Sequence, residues 1–102
     1  MEQLTLENFE EKTAGKNIVI DFFADWCGPC KMMNPVLDAL SIELAGQVEF
    51  FKVNSDEQPE LVEQFSVQSL PFFVAKSASG VKKTKVGAMQ KVRMLEFIKE
   101  AI

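Results

Sequence analysis

Histidine is absent from this 102-residue chain. That excludes a Cys–His nucleophile pair, a Ser–His–Asp triad and a Cys2His2 zinc site. Cysteine is nearly as scarce. The two present, Cys27 and Cys30, are too few for a disulfide scaffold. Positive charge is also short: 11 basic residues against 15 acidic give a net charge of −4. A phosphate-binding face needs the opposite balance, so nucleic acid is not expected as the main partner. No apolar run is long enough to cross a membrane. The opening "MEQLTLENF" has neither the basic region nor the apolar core of a signal peptide. The expectation is a chain that starts at Met1 and stays in the cytoplasm, as a monomer by default.

What is present suits a globular protein: 47% hydrophobic and 25% charged residues. The length fits a single domain over residues 1–102, able to bury roughly two thirds of the surface its unfolded chain exposes. Charge is uneven. Residues 1–75 carry four basic and thirteen acidic side chains, whereas the stretch from Lys76 carries seven basic and two acidic. Such an asymmetry can steer charged partners. The plainer reading is acidic surface helices early and lysines guarding a sheet edge late.

Periodicity predicts the order α-β-α-β-α-β-β-α, with a short strand at Gln3–Leu4. "LTLENFEEKTAG" reads as a helix capped by Thr5, stapled by Leu4 and Phe9, and ended by Gly15. "NIVIDFF" and "VEFFKVN" are continuous apolar runs, as in strands covered on both faces. From Gly28 a stripe of Met32, Val36, Leu37, Leu40 and Leu44 predicts a helix that contains Pro35 and stops at Gly46. "SDEQPELVEQF" predicts a third helix, with Pro59 near its start. "FFVAKS" and "VKKTKVGA" predict a hairpin turning at Ser79–Gly80. "KVRMLEFIKEAI" predicts a closing amphipathic helix with Val92, Leu95, Ile98 and Ile102 on one face. Strands separated by helices imply parallel pairing, and the late hairpin adds an antiparallel strand.

The chemistry concentrates in "IDFFADWCGPCKMMNP", residues 20–35. Both thiols sit where a strand hands over to a helix. Cys27 would lie at the helix N-terminus, where free N–H groups and the macrodipole favour an anion and so a thiolate. Cys30, one turn on, can donate a hydrogen bond to that thiolate or close a disulfide with it. Pro29 suits a first helical turn. Three other readings stand beside redox exchange. A structural disulfide here would close so short a loop that it would stabilise little. A metal site needs about four ligands, so a zinc or iron–sulfur site on two cysteines would need a dimer or outside thiols. Buried, inert cysteines are common, but seldom as such a pair. A cytosolic C-x-x-C beside a β-α-β pattern favours redox chemistry.

"WCGPCK", the upstream "DFFA" and the later "KVNSD", "LPFF" and "KVGA" together resemble the thioredoxin family over essentially the whole chain. The resemblance implies a three-layer α/β/α sandwich around a mixed, mostly parallel sheet. It implies a protein disulfide reductase in which Cys27 attacks a target disulfide and Cys30 resolves the mixed disulfide. The chain would then be an electron carrier without a bound cofactor. Electrons would come from NADPH through a flavin-dependent thioredoxin reductase and go to disulfide-containing targets such as peroxiredoxin or ribonucleotide reductase classes. The Gly28–Pro29 pair resembles the reducing members. The competing class is a binding module of this fold that docks partners and whose redox activity is incidental.

Asp21 is a charge within "IVIDFFA", where burial would raise its pKa and make it a proton acceptor for Cys30. At a wet strand end it would be idle. Lys52 matches the family's lysine beside that acid, or is an ordinary exposed strand lysine. Pro71 matches the family's cis-proline, which would expose the Leu70 backbone to a substrate strand; sequence alone would make it a strand-start proline. Trp26 would form part of an apolar rim around Cys27, and Gly87 and Ala88 would let a target approach closely. Three departures from the family pattern stand out. Phe72 follows Pro71 where threonine is usual and should make the groove bulkier. Phe23 replaces a frequent tryptophan, which should weaken the fluorescence change on reduction. Gln90 is a poor helix cap.

Overall fold

A computed structural model describes residues 1–102. The element order is β1 (Glu2–Gln3), α1 (Phe9–Thr13), β2 (Ile18–Phe23), α2 (Gly28–Glu43), β3 (Glu49–Asn54), α3 (Pro59–Gln64), β4 (Phe72–Lys76), β5 (Lys82–Val86) and α4 (Lys91–Ala101). The five strands form one sheet in the order β1-β3-β2-β4-β5. β1 and β2 flank β3 in parallel, while β4 runs antiparallel to both β2 and β5.

β2 lies at the centre of the sheet, and its side chains divide between two cores. Ile18, Ile20 and Phe22 point into a cluster with Phe51, Val53, Leu61 and Phe72, against which Phe9 of α1 packs. Val19 points the other way, with Phe50 and Phe73, into a cluster made with Met33, Leu37 and Leu40 of α2 and Met94, Phe97 and Ile98 of α4. Helices therefore cover both faces, giving the expected three-layer α/β/α sandwich. Two-sided burial is why β2 reads as a continuous apolar run rather than an alternating one.

The strands and helices fall where the patterns place them, with local differences. The short first strand covers Glu2–Gln3 rather than Gln3–Leu4, and Leu4 instead enters the core. α1 begins only at Phe9. Before it, Thr5 and Asn8 exchange hydrogen bonds: the Thr5 N–H donates to Asn8 Oδ1 at 2.8 Å, and the Asn8 N–H donates to Thr5 Oγ1 at 3.2 Å. Thr5 thus caps a turn ahead of the helix, because the Asn8 side chain competes for backbone groups there.

In α2 it is Met33, with Leu37 and Leu40, that enters the core, and Met32 is 71% exposed. α4 buries Met94, Phe97, Ile98 and Ala101; of the expected face Ile98 is buried and Leu95 packs against the core, whereas Val92 is 61% and Ile102 37% exposed. Both helices offer two overlapping apolar stripes, and packing selects the one carrying the larger buried set. Gln90 makes no side-chain cap to α4, as expected. A helix separates β3 from β4, yet β4 pairs antiparallel to β2, because the 65–71 connection returns the chain on the same end of the sheet.

β5 is an edge strand, exposed along its whole length, and Lys82, Lys83 and Lys85 lie on it. Charged side chains on an open edge discourage pairing with another chain. The α4 assignment is checked by urea unfolding of two truncations. Met94→Ala is expected to lose about 2–5 kcal/mol and Val92→Ala to stay within about 0.5 kcal/mol of the parent. Equal losses would contradict the burial of Met94 and the exposure of Val92.

Candidate redox site

β2 ends at Phe23, and a short turn leads from it into α2. The Cys27 N–H donates to the Ala24 carbonyl at 3.1 Å, which tightens this turn. Cys27 is the N-cap of α2 with extended backbone, and Gly28 and Pro29 form the first helical positions. A proline there removes an N–H that no helical carbonyl would have used. The Cys30 N–H donates to Cys27 Sγ at 3.2 Å. A sulfur thus occupies the place a serine or aspartate oxygen takes in an ordinary N-cap. The two sulfurs are joined as a disulfide, with the Cα atoms 5.3 Å apart. Cys27 is 4% and Cys30 2% exposed, and both pack with Ala24 against Phe23 and Leu70. No group of three or more cysteine and carboxylate residues is gathered in a way that could hold a metal ion.

Leu70 thus borders the disulfide, and its peptide bond to Pro71 is cis. Pro71 is buried, and its carbonyl accepts the Gly87 N–H at 2.8 Å. Gly87 has φ +101°, a conformation that a side chain would disfavour, and open space lies where a Cβ would stand. The 87–88 segment is thereby held next to the 70–71 segment, with Ala88 exposed. Trp26 is 72% exposed, and its Nε1–H donates to Asp56 Oδ2 at 2.9 Å. Asp56 is itself placed by a turn in which its N–H donates to Asn54 Oδ1 at 3.1 Å. The tryptophan is therefore a surface plate fixed at its polar edge. Phe72, expected to thicken the groove, instead turns its ring into the core on the α1/α3 side, edge-on to Phe22 at 5.9 Å.

Asp21 is 1% exposed, and its Oδ1 has no hydrogen-bond partner. By strand alternation it faces the α2 side of the sheet together with Val19 and Phe23. Burial pushes its carboxyl up from 3.8 to about 7, against a smaller downward pull from the charge of Lys52. Lys52 stands directly opposite Asp21 in the β2–β3 register, and its Nζ lies 5.3 Å from the centre of the Phe23 ring. Lys52 and Cys30 line one cleft of about 360 Å³, with Phe23, Ala24 and Asn34. The buried acid, its lysine and the inner sulfur thus share one side of the sheet.

The structure therefore brings together Cys27, Cys30, Leu70 and Pro71 with the Gly87–Ala88 segment, and sets Asp21 with Lys52 behind them. Sequence reasoning missed Asp56 as the partner of Trp26. The turn signal "NSD" was visible, but nothing in it pointed 30 residues back.

The family model for Thioredoxin matches residues 1–100. A thioredoxin of Haemophilus influenzae is 44% identical over 85 residues, covering 83% of this chain and 79% of that protein. One from Rickettsia felis is 39% identical over 85 residues, covering 83% and 81%. One from Buchnera aphidicola is 37% identical over 102 residues, covering 98% and 94%. Among solved structures, chloroplastic thioredoxin z superposes with a TM-score of 0.87 at 27% identity, covering 98% of this chain and 92% of that one.

The burial of Asp21 has a signed consequence for stability. With its folded value at about 7 and its ordinary value at 3.8, the folded protein keeps a proton that the unfolded chain releases in between. Stability therefore falls as pH rises through that window, and the whole loss, about 4 kcal/mol, stands above it. Asp21→Asn is expected to be more stable than the parent at pH 8 and to lack the decline between pH 5 and 8, as read from urea titrations at the two pH values. A parent whose stability does not fall over that interval would contradict the raised carboxyl.

Proposed function

The chain belongs to the thioredoxin family and is a protein disulfide reductase working by dithiol–disulfide exchange at Cys27 and Cys30, and from that premise we propose how its residues divide the work. The observation that carries the proposal is Cys27 as the N-cap sulfur of α2, receiving the Cys30 N–H. In the dithiol form that N–H and the helix dipole stabilise a Cys27 thiolate. The thiolate attacks one sulfur of a target disulfide. A Cys27–target bond forms, the target's sulfur–sulfur bond breaks, and its other sulfur leaves as a thiolate that takes up a proton. The Cys30 thiolate then attacks Cys27 Sγ. This closes Cys27–Cys30 and releases the second target thiol, so that two electrons have passed to the target.

Asp21 accepts the Cys30 proton for that second step. Its raised pKa near neutrality suits a group that must both take and give up a proton. Lys52 limits how far the acid's affinity for the proton rises. Trp26, Gly28, Pro29 and the Gly87–Ala88 segment form the rim on which a target rests, and the backbone of Leu70, before Pro71, pairs with the target strand.

Family membership carries with it partners of two kinds, a reductase and proteins with reducible disulfides. We assign the reductase to the flavin-dependent, NADPH-fed class and the targets to proteins such as peroxiredoxin or ribonucleotide reductase classes. The chain acts as one cytoplasmic, monomeric domain over residues 1–102, with no bound cofactor. No helix is long and apolar enough to cross a membrane.

Two measurements test the division of roles. Cys30→Ser, incubated with a disulfide-bonded protein, is expected to accumulate a covalent complex through Cys27 on non-reducing gels, and Cys27→Ser to form none. The reverse pattern would exchange the two roles. Single-turnover release of the reduced target should speed up as pH rises through about 7, where Asp21 loses its proton. Asp21→Asn should be slower by at least about tenfold and lack that rise. An unaltered profile would remove Asp21 from the proton path.

A further inference from the structure

The Gly87–Met89 segment is held at two points. One is the Gly87 N–H on the Pro71 carbonyl. The other is unusual in kind: the Met89 N–H donates to Sδ of Met33 at 3.3 Å, across 56 residues of sequence. A thioether is a weak acceptor, and backbone N–H groups in loops more often find oxygen or water. Met33 is nonetheless fixed enough to serve. It is 1% exposed, belongs to the core between α2 and α4, and lies one helical turn beyond Cys30 on the buried side of α2. Between the two anchors Ala88 is exposed. Just outside the second anchor opens a cleft of about 350 Å³, lined by Met32, Met33, Val36, Ala88 and Met89.

We propose that Met33 is a positioning residue for target binding: its sulfur, acting as acceptor, fixes the Gly87–Met89 rim relative to the α2 helix that carries the disulfide. This rests on the reading of Gly87 and Ala88 as part of the target-binding rim. Met33 touches no target. It acts through Met89, and its effect falls on how tightly a target polypeptide is held rather than on the sulfur exchange. A leucine fills nearly the same volume but offers no acceptor, so Met33→Leu separates the bond from the packing. The Met89 N–H would then turn to water and the rim would lose one anchor.

The experiment compares Met33→Leu with Leu37→Val, a truncation in the same core of α2 that leaves the Met89 anchor in place. Steady-state reduction of a disulfide-bonded protein gives KM and kcat, and amide hydrogen exchange followed by NMR gives the protection of Met89. For Met33→Leu the expected result is a KM raised about three- to tenfold with kcat retained, and Met89 exchange at least about fivefold faster while core amides of β2 keep their rates. Leu37→Val should leave both KM and Met89 exchange at parent values. Unchanged Met89 protection in Met33→Leu, an unchanged KM, or an equal KM rise in Leu37→Val would each overturn the positioning role. Ala88→Glu tests the underlying reading separately. A parent-like KM there would remove the 87–88 segment from target binding, whatever Met33→Leu does to exchange.

Discussion

A carboxylate held out of water at the centre of the sheet is the constraint around which this molecule is arranged. Asp21 occupies a β2 position where the strand is covered on both faces, and one of its oxygens has no partner. A hydrophobic residue at that place would be the more stable choice. The surroundings soften the penalty without removing it. Lys52 stands opposite on β3, yet its pull on the acid is smaller than the push from burial. A group left half-compensated in this way can exchange its proton near neutrality, which a fully paired carboxylate could not. The fold thus gives up stability at the strand that also delivers the two cysteines.

The same strand sets the geometry of the sulfurs. Three residues separate the end of β2 from Cys27, the cap of α2, so the reactive pair is built on the junction of two well-packed elements. A site built on such elements keeps its geometry better than one carried on a free loop. The loops that face it are tied down individually: residues 70–71 and 87 to each other, Met89 to α2, and Trp26 to Asp56. Each tie is a single hydrogen bond. These segments are therefore defined in position but lightly anchored.

Much of this was legible in the sequence because the strongest signals were local. The two-sided burial of β2 and β3 left continuous apolar runs. The cysteine spacing, the proline between them and the charge inside "IVIDFFA" marked the site. What the sequence withheld depended on choices between near-equivalent neighbours or on distant partners. Met32 and Met33 are adjacent and chemically identical, so periodicity could not say which would be buried. The Val92 and Met94 stripes of α4 overlap in the same way. The late start of α1 came from Asn8 and Thr5 satisfying each other. Phe72 looked like a groove residue from its place after Pro71, but strand alternation in β4 sends it to the opposite face. The antiparallel course of β4 and the Trp26–Asp56 bond are long-range facts that no local pattern encodes.

The turn that carries the disulfide also carries its hydrogen-bond donor. In the disulfide form the Cys30 N–H already points at Cys27 Sγ, where it would meet the thiolate of the proposed exchange. The disulfide form thus already presents the donor that the proposed thiolate would use, and electrostatics act on the balance between the two forms. Three contributions act on it in different directions. The helix N-terminus favours negative charge on Cys27. A charged Asp21 on the same side of the sheet disfavours it on Cys30. Lys52, lining the cleft with Cys30, favours it there. Because Asp21 changes charge near pH 7, the second of these weakens as the acid takes up a proton. In the proposed exchange, a proton passing from Cys30 to Asp21 would trade one negative charge for another on that side of the sheet. The buried placement that makes Asp21 destabilising is also what holds its carboxyl up near neutrality, against the pull of Lys52.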